Sequence, residues 1–198
     1  PLGSPTSKGK PFINLLPLVQ GETITAIMKL PENEADCENL SIAFATAKGN
    51  IRRNSLMDFV NVQSNGKIAM KLDEGDKLIN VALCDDSNDI MLAAKSGKCI
   101  RFAVEDLRVF VGRNSTGVRG VKLQGDDEVI SMSILKHCTA SVEQRDEYLR
   151  VSNAMKRMET ESGGDACISP DQTGLLNLLD TAKFEEMRKE EEFILTVT

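Results

Sequence analysis

Two stretches of this chain are copies of one another, and that self-similarity limits the fold more than any single motif. "LSIAFATAKGNIRRNSLMDF" (40–59) is matched by "DIMLAAKSGKCIRFAVEDL" (89–107), with Gly49 aligned to Gly97, Ile42 to Ile90, Phe44 to Leu92, Arg53 to Arg101 and Asp58 to Asp106. "KLDEGDKLINVAL" (71–83) then matches "KLQGDDEVISMSI" (122–134), with three more residues in the second copy's loop. "PLVQGETITAIM" (17–28) resembles the end of a copy, and "FILTVT" (193–198) resembles the start of one. A period of roughly 50 residues belongs to blades and related arrays, in which a unit buries its faces only against its neighbours.

Within each copy the signals are β. Ile42 to Thr46 and Ile90 to Ala94 are short apolar runs ending at a Lys-Gly or Ser-Gly turn, and Ile51 to Asn54 and Cys99 to Ala103 return as second arms. Ile68 to Leu72 alternates apolar and polar, and an acidic turn leads into Leu78 to Leu83. Four short strands per copy make a blade. Asp73, Glu74 and Asp76, with Asp126, Asp127 and Glu128 in the second copy, recur at one place, which reads as turn chemistry rather than metal binding.

Other chemistries find little support. Gly112 and Gly117 in "GRNSTGVRGVKL" (112–123) have the glycine spacing of a phosphate-binding loop, but Val118 and Arg119 stand where Lys and Ser/Thr are required. The five cysteines are odd in number and widely spaced, as expected of reduced thiols, and the single histidine, His137, leaves no His-based metal cluster or triad. No apolar run approaches the ~20 residues of a membrane span, and no signal peptide is visible. Pro1-Leu2-Gly3-Ser4 reads as the scar of a cleaved expression tag.

Charge divides the chain. Residues 1–136 hold 17 Lys/Arg and 17 Asp/Glu; residues 137–198 hold 7 and 13, which is the whole of the −6 net charge. The acidic part also breaks the β pattern. Ser141 with Gln144 forms a capping box, and Tyr148, Val151, Met155 and Met158 make one helical stripe that Gly163-Gly164 stops. A second capping pattern, Ser169-Pro170-Asp171-Gln172, opens "GLLNLLDTAKFEEMRKEEE". The expectation is an acidic helical hairpin spliced between β repeats.

"KGKPFINLLPL", "GNIRRNSLMDF", "GKIAMKL", "GKCIRF" and "GRNSTGVRGVKL", in this order, resemble the C-terminal domain of bacterial DNA gyrase A; the related topoisomerase IV protein shares the architecture. The likeness covers about residues 8–136 and resumes at Phe193. It implies an all-β repeat fold, a partial β-pinwheel of four-stranded blades that exchange strands with their neighbours, interrupted here by the mainly helical acidic insertion. The implied order is tag scar and linker (1–7), the end of a preceding blade (8–39), complete blades at 40–84 and 85–136, the insertion (137–192), and the first strand of the next blade (193–198). The family's gyrase box, Gln-Arg-Arg-Gly-Gly-Lys-Gly, does not occur in this sequence. Tyr148 matches no catalytic tyrosine, and this part of the enzyme is expected to be non-catalytic.

The resemblance implies duplex DNA wrapped on a basic rim in support of negative supercoiling by an ATP-dependent type II topoisomerase. Candidate contacts are Lys48, Arg52, Arg53, Lys67, Lys71, Lys95, Lys98, Arg101, Arg108, Arg113, Arg119 and Lys122, at recurring blade positions. Contact with phosphate gives salt-dependent affinity and little sequence preference. No cofactor is expected in this segment; ATP and Mg belong to the whole enzyme by resemblance. Expected partners are DNA, the rest of gyrase A, and gyrase B in an A2B2 complex, in the cytoplasm on the nucleoid, without membrane or small-molecule substrate. The alternative is a protein-interaction module whose acidic helices contact a partner or compete with DNA.

Overall fold

The computed structural model of the chain describes residues 4–11, 14, 16–61, 66–162 and 178–195. They form two compact units, Pro1–His137 and Cys138–Thr198.

Among its described residues the first unit holds seven strands in two antiparallel sheets. β1 (Ser41–Thr46), β2 (Asn50–Ser55), β3 (Leu78–Cys84) and β6 (Val118–Arg119) form one sheet in the order β3-β1-β2-β6. β4 (Asn88–Ala94), β5 (Cys99–Ala103) and β7 (Val129–Lys136) form the other, in the order β5-β4-β7. The repeat thus reappears as two hairpins, β1–β2 and β4–β5, each receiving a strand on the free side of its first arm. Gly49 and Gly97 turn them at the same φ of +84°.

The acidic turns also repeat in detail. Asp76 Oδ1 accepts from the Lys48 and Lys77 amides at 3.0 and 2.9 Å, and Asp127 Oδ1 accepts from the Ser96 and Glu128 amides, both at 3.0 Å. Each aspartate ties its own turn to the adjacent hairpin turn, which accounts for one carboxylate of each acidic group without a cation. Among the described residues no acidic, His or Cys cluster is arranged to hold a metal ion.

β1 is buried on both faces. Ala43 and Ala45 face the second sheet, meeting Ile90, Leu92, Val104, Val129 and Met132. Ile42 and Phe44 face the other way, onto Cys37 and Leu56, with Met28, Phe59 and Met70 around them. Small side chains on the inner face let the two sheets approach closely, and Asn80 Nδ2 crosses between them to the Met132 carbonyl at 2.9 Å.

The strand exchange that the resemblance implies is present, and one expectation fails beside it. The "GRNSTGVRG" loop carries the chain out of the second sheet so that Val118 and Arg119 pair with Ile51 and Asn50 of the first. Ile68–Leu72, which holds the corresponding place in the first copy, is not a strand. Its pairing depends on a hairpin from another blade, and among the described residues none precedes β1.

The second unit is helical. α1 (Val142–Ser162) starts at the expected capping box, with Gln144 N donating to Ser141 Oγ at 3.2 Å and Ser141 N to Gln144 Oε1 at 3.0 Å. Tyr148, Val151 and Met155 pack with Leu179 and Phe184; the Met158 side chain lies outside the described residues. α2 (Thr181–Lys189) is capped by Asp180, which is extended and whose carboxylate accepts from Lys183 N at 2.7 Å. The expected cap at Ser169–Gln172 lies outside the described residues. Buried Glu147 accepts from the Leu178 and Leu179 amides at 2.7 and 2.9 Å, fixing the approach to α2. Phe193–Leu195 form no strand, and the remainder of that expected element lies outside the described residues. Among the described residues no helix is long and apolar enough to cross a membrane.

Gly117 and Gly97 separate two costs of adding a side chain. Both hold φ near +85°, at +86° and +84°, but a Cβ on Gly117 would lie 2.2 Å from the Ile51 carbonyl oxygen, whereas one on Gly97 meets nothing within 4 Å. Gly97→Ala is expected to cost about 1 kcal/mol from backbone strain alone, and Gly117→Ala at least about twice that. Urea unfolding of both variants checks the difference.

Candidate nucleic-acid interface

The loop from Arg108 to Arg119 is anchored from inside the protein. Arg52 lies on β2, only 1 % exposed. Its Nη1 donates to the Ser115 carbonyl at 2.6 Å and Ser115 Oγ at 2.8 Å, Nη2 donates to the Gly112 carbonyl, and Nε donates to Asn54 Oδ1 at 2.7 Å. Asn54 is fully buried, and its amide nitrogen donates to the Phe110 and Gly112 carbonyls at 2.9 and 3.1 Å. Among the described residues the loop has no regular partner strand between Gly112 and Thr116, so these side chains satisfy its carbonyls. Burial lowers the Arg52 pKa, and the charge of Asp58 opposes that shift.

Arg53 is also buried, at 7 % exposure. Its side chain faces the second sheet, donating to Ser41 Oγ at 3.0 Å and to the Val104 and Leu107 carbonyls at 3.0 and 3.4 Å, and pairing with Asp86. Arg52 and Arg53 therefore leave the exposed basic set. The adjacent pair reads as a charged surface strand, but each guanidinium is consumed by carbonyls of the neighbouring copy.

The other candidates divide into two groups. Near the anchored loop, Lys71 N donates to the Ser115 carbonyl at 3.3 Å, leaving its ammonium exposed. Lys67 and Arg113 line a cleft with Asn61 and Gly66. Arg108 stacks on Phe110 at 4.2 Å, a ring that Arg52 also contacts at 4.9 Å. Arg119 sits on β6 opposite Asn50, with Lys122 exposed three residues on.

The second group lies at the hairpin turns and on β5. Lys48 bonds the Glu74 carbonyl at 2.5 Å, Lys98 the Gln124 side chain at 3.3 Å, and Lys95 pairs with Glu128 at 3.9 Å. Arg101 binds Asp89 at 2.7 Å and the Lys136 carbonyl at 2.7 Å.

Lys71, Arg119 and Lys122 are exposed and make no side-chain bond among the described residues. Arg113 is half-buried, and its Nη1 is buried without a hydrogen-bond partner. The exposed cations, on a rigid scaffold, suit a polyanion whose phosphates accept from them. Asn54, Phe110 and Ser115 do not stand out in the sequence. A signal for Asn54 exists: "NIRRNS" is a strand with one apolar residue, flanked by strands on both sides.

The family model matching this chain describes the DNA gyrase C-terminal domain, a β-propeller, over residues 41–85 and 88–136. DNA gyrase A of Rickettsia bellii is 52 % identical over 198 residues, covering 100 % of this chain and 21 % of that protein. The same protein of Granulibacter bethesdensis is 50 % identical over 206 residues, covering 100 % and 22 %. That of Salmonella typhimurium is 42 % identical over 134 residues, 68 % of this chain and 15 % of the relative. The first two alignments take in the helical unit as well as Pro1–Ser4. The chain spans about a fifth of the length of these full-coverage relatives.

Among solved structures, a DNA gyrase A C-terminal domain is similar at a TM-score of 0.56 and 25 % identity, over 66 % of this chain and 42 % of that one. The C-terminal domain of a DNA topoisomerase IV is similar at 0.58 and 22 % identity, over 65 % and 39 %, a likeness of fold.

Arg52→Ala is expected to cost about 2–4 kcal/mol, since it strips partners from buried carbonyls. Lys122→Ala should stay within about 0.5 kcal/mol of the parent; urea denaturation distinguishes them. A pH effect centres on Asp89. Burial pushes its carboxyl up, but hydrogen bonds from His137 and Arg101, with the Arg101 charge, outweigh burial and hold it below the usual carboxylate range. Its contribution to stability is therefore present above the ordinary carboxyl pKa and is lost as pH falls through the depressed one. Asp89→Asn should flatten the acid limb of a stability–pH curve.

Proposed function

This chain belongs to the family of the DNA gyrase A C-terminal domain, and from that premise we propose that it binds duplex DNA through the phosphate backbone along the edge formed by β6 and its flanking loops. The observation that carries this reading is the set Lys71, Arg113, Arg119 and Lys122. These cations make no side-chain bond among the described residues; Arg113 stands on the loop pinned by Arg52 and Asn54, Arg119 on β6, and Lys71 is tied to that loop through the Ser115 carbonyl. Phosphate contact costs such groups little reorganisation, because the loop is already ordered.

Binding of this kind reads no bases. It favours sequences that bend easily, since a duplex following a curved protein edge stores deformation energy that depends on its steps. In the full-length protein, this edge contributes one arc of a longer path that wraps DNA and supports negative supercoiling. The use of ATP and Mg, the A2B2 assembly and residence on the nucleoid are extended to the full-length protein on the same premise. The segment itself takes part by positioning DNA rather than by catalysis.

The test is affinity for a fluorescent duplex of about 40 base pairs across a salt series. Each lost phosphate contact lowers the slope of log affinity against log salt by about one unit. A variant with Lys71, Arg113, Arg119 and Lys122 all changed to alanine should therefore lose about 3–4 units of slope, equally for unrelated sequences. An unchanged slope, or no binding by the parent chain at low salt, would overturn the reading.

A further inference from the structure

We propose that Val111 is an apolar wedge: on bound duplex it enters the minor groove and parts one base step, so that the DNA is kinked there rather than bent evenly. The inference rests on the phosphate-backbone reading above and adds to it the residue that shapes the duplex.

Val111 is 102 % exposed, more than any other large apolar side chain among the described residues. Val109 and Val111 face outward on either side of buried Phe110. Scattered apolar side chains are ordinary on a protein surface; this one stands on fixed backbone. Phe110 N donates to the Arg53 carbonyl at 2.8 Å, and Asn54 Nδ2 donates to the Phe110 and Gly112 carbonyls at 2.9 and 3.1 Å. Arg52 adds a bond to the Gly112 carbonyl, and its guanidinium and that of Arg108 both lie against the Phe110 ring. Turning Val111 inward would break bonds made by two buried side chains. The space beside it is open as well, since a Cβ on Gly112 would meet nothing within 4 Å.

The surroundings identify the occupant. Arg113 lies two residues on, exposed Arg108 three residues back, and Lys71 is tied to the same loop through the Ser115 carbonyl with its ammonium exposed. An apolar tip set among cations fits a surface that is anionic at its rims and apolar within. A duplex groove has that form, with phosphates along its edges and stacked bases at its floor. The minor groove is about 6 Å wide, enough for a valine side chain but not for a helix. Apolar side chains inserted there unstack a step and kink the duplex by roughly 20–90°, at least cost where the step is TA or CA.

Two features of the loop favour this use. It spans the junction of the two copies, and both sets of residues that hold the projection are present in the chain. The three residues by which the second copy exceeds the first also lie between Asp106 and Gly117, in the stretch that forms the projection.

Two readouts test the wedge separately from the phosphate contacts. A salt series reports the contacts, and 2-aminopurine, whose fluorescence is quenched by stacking, reports a parted step. The probe is a GC-rich duplex of about 20 base pairs with a single TA step, 2-aminopurine replacing the adenine of that step. Its fluorescence should rise several-fold on binding the parent chain. Val111→Ala and Val111→Ser should abolish the rise, and Val111→Leu should keep it. Because valine carries no charge, Val111→Ala should bind several-fold more weakly at every salt concentration, with the slope of log affinity against log salt unaltered. The side chain is exposed, so each variant should fold with the urea midpoint of the parent. A rise that persists in Val111→Ala overturns the wedge. So does the absence of any rise when the parent binds with a steep slope, and both results leave the phosphate reading standing. No binding by the parent at low salt overturns both.

Discussion

The two sheets are joined by carbonyl oxygens that no strand can satisfy. When the chain leaves β5 and reaches across to β2, it makes only a two-residue strand at the far side, worth about 1–3 kcal/mol in net hydrogen bonding. The loop around that strand would leave Phe110, Gly112 and Ser115 with unmet acceptors. Arg52 and Asn54 reach those oxygens from within β2, and Arg53 reaches the Val104 and Leu107 oxygens from its other face. Charged donors make stronger bonds than neutral ones. Three consecutive polar residues are thus buried in a strand because each face of that strand must hold irregular backbone from the neighbouring copy.

Basic side chains of similar appearance consequently have different uses. A guanidinium whose donors are filled by internal carbonyls is removed from solvent and fixes geometry. One on the outer loop has donors left over. Arg53 and Arg101 show the distinction at a single repeat position: Arg53 is closed over by the second sheet, whereas Arg101 remains open on the face that no described strand covers. Position in the repeat sets the direction of the side chain, and the presence of a neighbour sets its role.

What is legible in the sequence follows the same line. The hairpins, their glycine turns, the aspartates that tie those turns and the capping box of α1 are local, and each can be read from a few adjacent residues. Ile68–Leu72 reads as a strand because its alternation is correct, but alternation cannot supply the hairpin it must pair with. "RRN" reads as surface because charge normally means solvent; its burial depends on carbonyls about sixty residues away. The cap of α2 is Asp180, an acidic residue that its sequence neighbours do not mark as a helix start. The basic loop is legible as a charged loop, but its fixed shape is not, since Arg52 and Asn54 impose it from outside the loop.

The placement of β6 also sets an order of events during synthesis. β1 and β2 are complete once residue 55 has emerged, and β3 can join β1 as soon as residue 84 follows. The outer edge of β2 stays unpaired until Val118 and Arg119 appear, and the Arg52 guanidinium stays without its carbonyls for the same interval. At about 5–20 residues per second, several seconds separate the synthesis of β2 from that of the strand that closes its outer edge. The first blade is therefore finished only by the second, and the array matures one repeat behind the growing chain.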